Sequence, residues 1–288
     1  MGIKEYLQHL RLGFNIILLP IFLWGFYLSG GPITWRFWLG LFVFHILFYG
    51  GSVAFNSFYD NDDGPIGGLW RPPKPTYGLF VFAMAIQLAG LLLIALINWW
   101  IVLVAGFMGV LSTAYSHPAI RLKRWPWASV LAVSFGQGIG GAAAGWLCGQ
   151  GDPTTLLALR PWLGFLVATL VTTGYYPLTQ IYQREEDRQR GDITFAVRYG
   201  ERSFLFAVVC LVGAAFLGTG LLWATLGPWQ ALPLGVGLLG MTALVYRWWR
   251  RYDDRQIRYN FLQVHRLGYL LAGGFVAYIG WQLMQTFV

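Results

Sequence analysis

Charge is what this chain of 288 residues has least of: Asp, Glu, Lys and Arg together make up 11% of it, against 57% hydrophobic residues. A water-soluble domain of that length carries roughly 25% charged residues. The shortage excludes an ordinary water-facing surface and predicts an integral membrane protein. Cysteine is almost as scarce. Cys148 and Cys210 are the two present, each inside an apolar run, which excludes a disulfide framework and a Cys-based metal site. His9, His45, His117 and His265 are scattered, with no metal-ligand spacing, and none is taken as a ligand. The formal charge of +8 comes without a recognition motif, so nucleic-acid binding is excluded as well. In a membrane chain, basic residues mark the cytoplasmic side.

What is there is a series of long apolar runs. A spanning helix needs about 20 mostly apolar residues. Nine runs qualify, at about 12–29, 38–58, 78–97, 100–117, 128–149, 161–182, 204–226, 231–249 and 267–287. The first has no small-residue cleavage site and is expected to be retained. Trp99-Trp100 suits the turn of a hairpin at a membrane interface. With nine spans, all of the twenty Lys and Arg residues except Arg36 and Arg160 fall on one side. That asymmetry predicts an all-α protein of one transmembrane domain over 1–288, with its N-terminus in the cytoplasm and its helices around a central apolar cavity. A bacterial inner membrane is the expected location.

The acids cluster on the same side. All twelve except Glu5, Asp152, Asp253 and Asp254 follow span two or span six. Negative charge does not set topology, so the clusters call for another reason. In FNSFYDNDDGPIGG, Asn56, Asp60 and Asp63 are spaced to share one helical face; after span six, Gln180, Gln183 and Asp187 do the same. Mg²⁺ takes one or two carboxylates plus water and substrate phosphates. Two such half-sites, facing each other at the mouth of an apolar cavity, predict a diphosphate held through Mg²⁺, with Gly64-Pro65 ending the helix and turning the chain across that mouth. Fixed positive charge for the diphosphate is available from Arg11, from Arg71 and Lys74, and from Arg121 and Lys123.

These segments resemble the UbiA superfamily of intramembrane prenyltransferases. The resemblance rests on Arg11 before span one, NSFYDNDD followed by Arg71-Pro72, Tyr115-Ser116 with Pro118 and Arg121-Leu122-Lys123, and EEDRQRGDITFAVRYG at 185–200. In the last, Asp187, Gly191, Thr194, Ala196, Val197, Arg198 and Gly200 match a family pattern DxxxGxxTLAVRLG. The chain departs from the family at four aspartate positions: Ser57 and Gly64 in the first motif, Gln180 and Gln183 in the second. The resemblance implies Mg²⁺-dependent transfer of a prenyl group from a polyprenyl diphosphate to an aromatic or lipid-like acceptor. It implies Asp60 and Asp187 as the central acids. Asn56, Asp63, Gln183 and Glu186 would complete the metal set, and Arg11, Arg71, Tyr115, Arg121, Lys123 and Arg198 would hold the diphosphate. Asp62, Gln180 and Tyr182 stand close enough in sequence to touch either ligand. A membrane terpene cyclase, closing the same donor on itself, is a second reading, and a transporter of an anionic lipid or metabolite a third. Oligomeric state and the acceptor stay open.

Overall fold

The computed structural model describes residues 1–285. Among them there are helices and no strand ladder; a single bridge closes the turn at Ile66 and Leu69. This is what lipid imposes, since a backbone without water must satisfy its polar groups within each segment. The helices are α1 (Ile3–Ser29), α2 (Trp35–Asp60), α3 (Tyr77–Ile94), α4 (Trp99–Ser116), α5 (Pro126–Gln150), α6 (Leu159–Thr179), α7 (Arg184–Arg190), α8 (Phe195–Tyr199), α9 (Arg202–Leu226), α10 (Pro228–Trp249) and α11 (Ile257–Gln285).

Seven of these, α1 to α5 with α9 and α10, are long and apolar enough to cross a membrane. The other two expected spans coincide with α6 and α11, which are long helices but fall outside that set. Large apolar side chains point outward from the bundle, among them Val110, Phe216 at 73% exposure and Val236. Water would disfavour such a surface and lipid accepts it. The chain is an integral membrane protein.

The bundle closes on itself: α11 returns to pack against α1 and α10, and α6 packs on α9, α5 and α1. The tightest approach is α1 to α5. A Cβ at Gly25 would fall on the Ala142 carbonyl, and one at Gly145 on the Phe22 carbonyl. The small-residue run Gly136–Gly145 thus serves close helix packing, as expected for membrane helices. Three of the long helices are irregular. Arg11 takes φ 48° and breaks α1 into two segments; Val43–Phe48 in α2 and Ser134–Gly140 in α5 are π-helical. Phe48 and Gln137, one from each π segment, line the central cavity. Segments of this kind re-aim side chains and are frequent at functional sites.

Candidate active site

One end of the bundle carries a polar cradle. It is built from the C-terminal end of α2, the loop to α3, the segment after α4, and the chain from Gln180 to Thr194. The local folding explains why these residues converge. Helix α2 ends at Asp60, where Asn61 takes φ 49° as its left-handed cap. Asn tolerates that conformation. Arg121, at φ 48°, turns the chain after α4, and Gly191, at φ 82°, ends α7. Arg11, Asn61 and Arg121 are the non-glycine residues with positive φ among the described residues, and all three border the cradle. A left-handed residue costs roughly 1–2 kcal/mol, and such strain concentrates at functional sites.

Asp60, Asp62 and Asp187 face Arg11, Lys123 and Arg190 within the cradle. Lys123 Nζ lies 2.6 Å and Arg121 Nη2 3.4 Å from Asp60 Oδ1. Arg121 donates two hydrogen bonds to Asp192, at 2.9 and 2.8 Å, and Arg190 pairs with Asp62. Arg11 donates to Ser57 Oγ at 2.5 Å and to the Val53 carbonyl at 3.3 Å, while its Nε–H stays buried without a protein partner. Thr194 Oγ1 donates to Asp187 at 3.1 Å. Burial pushes the Asp187 carboxyl up to about 7, only partly offset by Lys123 and the Thr194 hydrogen bond. Burial acts upward on Asp192 as well, but the Arg121 hydrogen bonds and the Lys123 charge outweigh it and hold that group below the usual range.

The cradle opens inward. Arg11, Asn56, Gly67, Tyr115, Gln180 and Gln183 line both the cradle and a cavity of about 230 Å³ inside the bundle. They form a collar between a charged compartment and a mostly apolar one. Tyr115 and Tyr176 hydroxyls bond at 2.8 Å on this collar, and Gln180 donates to Tyr176 at 2.6 Å while accepting from the Ala196 amide at 3.2 Å. Both ends of the Gln180 amide are therefore engaged by protein. Asn56 donates to Ser116 Oγ at 2.8 Å, which leaves its carbonyl oxygen for a ligand. Buried Tyr182 lines the cavity, edge-on to Phe261.

The residues singled out in the sequence do not all arrive at one place. Asp60, Asp62, Asp187, Asn56, Gln180, Gln183, Arg11, Tyr115 and Lys123 line the cradle. Arg121 reaches it through Asp60. Asp63 lies outside, with its side chain 87% exposed and paired with Lys74. The expected shared face fails there because α2 stops at Asp60, before Asp63 is reached. The turn likewise starts at Asn61, ahead of Gly64-Pro65. Gln180, Gln183 and Asp187 converge without sharing one helix: Ile181–Gln183 is a 3-10 turn between α6 and α7. Arg71 and Arg198 are exposed and line neither compartment. Glu186 accepts from the Asp63 and Gly64 amides, at 2.9 and 3.2 Å, tying the two acidic segments together.

Arg190 and Asp192 join the charge network of the cradle although the sequence did not single them out as site residues, and Thr194, which stood there as part of the family pattern, lines the cradle as well.

The donor set fits Mg²⁺ held jointly with a phosphate. Asp60 Oδ1 is buried and accepts no hydrogen bond of good geometry. Among the described residues, no three His, Cys, Asp or Glu are grouped as a protein-only metal cage. A few carboxylates with neutral amide oxygens, completed by phosphate and water, are what Mg²⁺ uses beside phosphorylated substrates.

Helices around an apolar cavity, with a charged cradle at one end, form a membrane-embedded site with one charged and one apolar compartment. The chain belongs to the UbiA prenyltransferase family, whose model matches residues 18–266, and it is a prenyltransferase. It is 28% identical over 214 residues to a homogentisate phytyltransferase of Synechocystis, covering 70% of this chain and 67% of that protein. Its fold is similar to that of a UbiA homolog from Archaeoglobus fulgidus bound to GPP and Mg²⁺, with a TM-score of 0.72, 19% identity, and coverage of 96% of this chain and 99% of that one. A UbiA homolog from Aeropyrum pernix, in its apo form, is similar with a TM-score of 0.67 and 15% identity, over 94% and 98% of the two chains.

Proposed function

We propose that this protein transfers a prenyl group from a polyprenyl diphosphate to an aromatic or lipid-like acceptor, with Mg²⁺, at the cytoplasmic face of a bacterial inner membrane. The observation that carries this reading is the collar, which joins a charged cradle to an apolar cavity. A prenyl diphosphate with its head in the cradle and its tail in the cavity would have its C–O bond at the boundary between the two. One domain of nine spans, α6 and α11 included, surrounds the cavity.

Asp60, Asp62 and Asp187 would hold the cation, with neutral oxygens from Asn56 and Gln183. Bound Mg²⁺ supplies positive charge to the diphosphate as it leaves. Arg11, Lys123 and Arg190 hold the phosphate oxygens, and the free Nε–H of Arg11 donates to one of them. Tyr115 on the collar and Tyr182 in the cavity would stabilise the allylic cation through their ring faces. The loop between α2 and α3 lines the cradle with Ile66 and Gly67 and would keep water from the departing bond. The acceptor's nucleophilic atom then bonds to the allylic carbon and loses a proton.

Purified protein incubated with geranyl diphosphate, Mg²⁺ and a panel of acceptors tests this. Pyrophosphate together with a prenylated acceptor is the expected outcome. Pyrophosphate with a cyclic hydrocarbon would replace transfer by cyclisation, and binding without turnover would point to transport.

A further inference from the structure

The cavity below the collar carries two chemistries. An isoprenoid tail is hydrocarbon and needs only the apolar wall offered by residues such as Ile17, Ile21, Met108 and Leu271. The same cavity also displays hydroxyl and amide groups. Most of these are accounted for by helix packing: the Ser52 and Ser112 hydroxyls bond at 2.8 Å, and Thr172 donates to the Ala168 carbonyl at 2.8 Å. Such bonds hold membrane bundles together. The Tyr49 and Tyr182 hydroxyls and the Gln137 amide are not accounted for in this way, and Gln137 is the amide among them. The π-helical segment of α5 places it on the cavity, partly buried, and among the described residues no group hydrogen-bonds its amide. A free amide against hydrocarbon is unfavourable, so a prenyl tail alone leaves Gln137 without a purpose.

Charge narrows the choice of partner. Among the described residues lining this cavity, Arg11 is the only Lys, Arg, His, Asp or Glu. It is already engaged with Ser57 and Val53 at the collar, where the cradle needs it. A carboxylate or phosphate on the acceptor, deeper in the cavity, would be buried without a counter-charge, at high cost. An amide offers one donor group and one acceptor, which matches a hydroxyl that does both. Phe48, Tyr49, Tyr115 and Tyr176 add ring surface to the wall of the same cavity.

We propose that the acceptor presents an uncharged phenolic head, and that Gln137 hydrogen-bonds it and sets the specificity for it. This rests on the prenyl-transfer reading above. The test uses the full-length protein in detergent, saturated with Mg²⁺ and geranyl thiolodiphosphate, a donor analogue that does not ionise readily. Analogue binding is measured first; its absence would sink the prenyl-transfer reading itself. With the analogue bound, equilibrium dialysis compares hydroquinone with 2,5-dihydroxybenzoate, the same ring plus a carboxylate. Hydroquinone should bind at least about tenfold more tightly. Gln137→Leu should weaken hydroquinone binding by about fivefold or more, well beyond any change in analogue binding. Gln137→Lys, by adding the missing counter-charge, should reverse the preference. The proposal is overturned if the carboxylate binds as well as hydroquinone, if neither binds beside the analogue, or if Gln137→Leu changes nothing. Should Gln137→Leu lose analogue binding, Gln137→Asn, which draws the amide back by one methylene, takes its place; unchanged hydroquinone affinity there also overturns the proposal.

Discussion

Asp60 and Asp187 reach the cradle from opposite halves of the chain, and each is short of protein partners in its own way. Asp60 Oδ1 is crowded by cations without a well-formed hydrogen bond, and the Asp187 carboxyl is desolvated. Asp60→Asn and Asp187→Asn keep the volume and remove the charge. Each should cut turnover by more than about tenfold in a protein that still folds; full turnover at limiting Mg²⁺ would remove that residue from the metal set. Asp187 also sets a pH dependence. With its carboxyl pushed up to about 7, a proton competes with the cation below that pH, and the Mg²⁺ needed for half-maximal activity should rise by up to about tenfold per unit as pH falls. Titrations at several pH values measure this, and in Asp187→Asn the dependence should flatten. Gln183 brings a neutral amide where family relatives place a carboxylate. Two unit charges about 4 Å apart interact by roughly 4 kcal/mol at an effective dielectric near 20. Repulsion from Asp187 and the diphosphate offsets most of that. Gln183→Asp should therefore lower the Mg²⁺ midpoint several-fold, and an unchanged midpoint with turnover intact would place Gln183 outside the metal shell. Asp60 and Asp187 were legible because their spacing and flanking residues survive in one dimension. The pairing of Arg190 with Asp62 was not, since it joins positions 128 residues apart. Asp62 rather than Asp63 enters the cradle because a single left-handed residue, Asn61, discards the helical register on which the projection relied.

The loop between α2 and α3, proposed above to shield the cradle as a lid, is held by side chains from three separate helices. Glu186 of α7 holds the Asp63 and Gly64 amides, His265 of α11 accepts from the Gly68 amide at 2.7 Å, and His9 of α1 meets the Pro73 carbonyl at 3.1 Å. A backbone N–H can only donate, so His265 Nε2 is the accepting nitrogen and Nδ1–H donates to the Phe261 carbonyl at 2.7 Å. Gly67 allows the loop to lie against Phe14, whose ring a Cβ there would strike at 2.9 Å. None of this was legible in the sequence. A histidine in a chain without metal spacing gives no sign that it will anchor a loop 197 residues away. The long helices were legible, because lipid forces apolar runs into one secondary structure. Their π segments at 43–48 and 134–140 were not, because nothing in the apolar pattern marks where the helical register widens. His265→Leu removes one pin. A hydrogen bond of this kind contributes about 1 kcal/mol, so opening of the lid should rise roughly fivefold. Hydrogen exchange of the peptide over 61–76 should accelerate accordingly, and hydrolysis of geranyl diphosphate without acceptor should rise relative to transfer. Unchanged exchange would mean that Glu186 and His9 alone hold the lid.

At the scale of the whole molecule, the cradle and the basic residues lie together because both belong to one end of the bundle. The segment after α4 supplies Arg121 and Lys123, and α7 supplies Arg190. Basic residues near span ends favour the cytoplasmic side, so the residues proposed to hold the diphosphate would also orient the protein. A water-soluble donor head made in the cytoplasm would then reach the cradle without crossing the bilayer. Single cysteines in a chain lacking Cys148 and Cys210 test the arrangement. Asp62 is too buried to be labelled, but Asp63 and Gln189 are exposed beside the cradle, and Ala158 is exposed on the connection between α5 and α6. A membrane-impermeant maleimide applied to intact cells should label Ala158→Cys and spare Asp63→Cys and Gln189→Cys; inverted vesicles should give the opposite pattern. If Asp63→Cys and Gln189→Cys react from different sides, the two acidic segments are not on one face of the membrane and the shared cradle fails. If both react from outside, the cradle stands but the orientation is reversed, and the donor would have to be delivered to the far side.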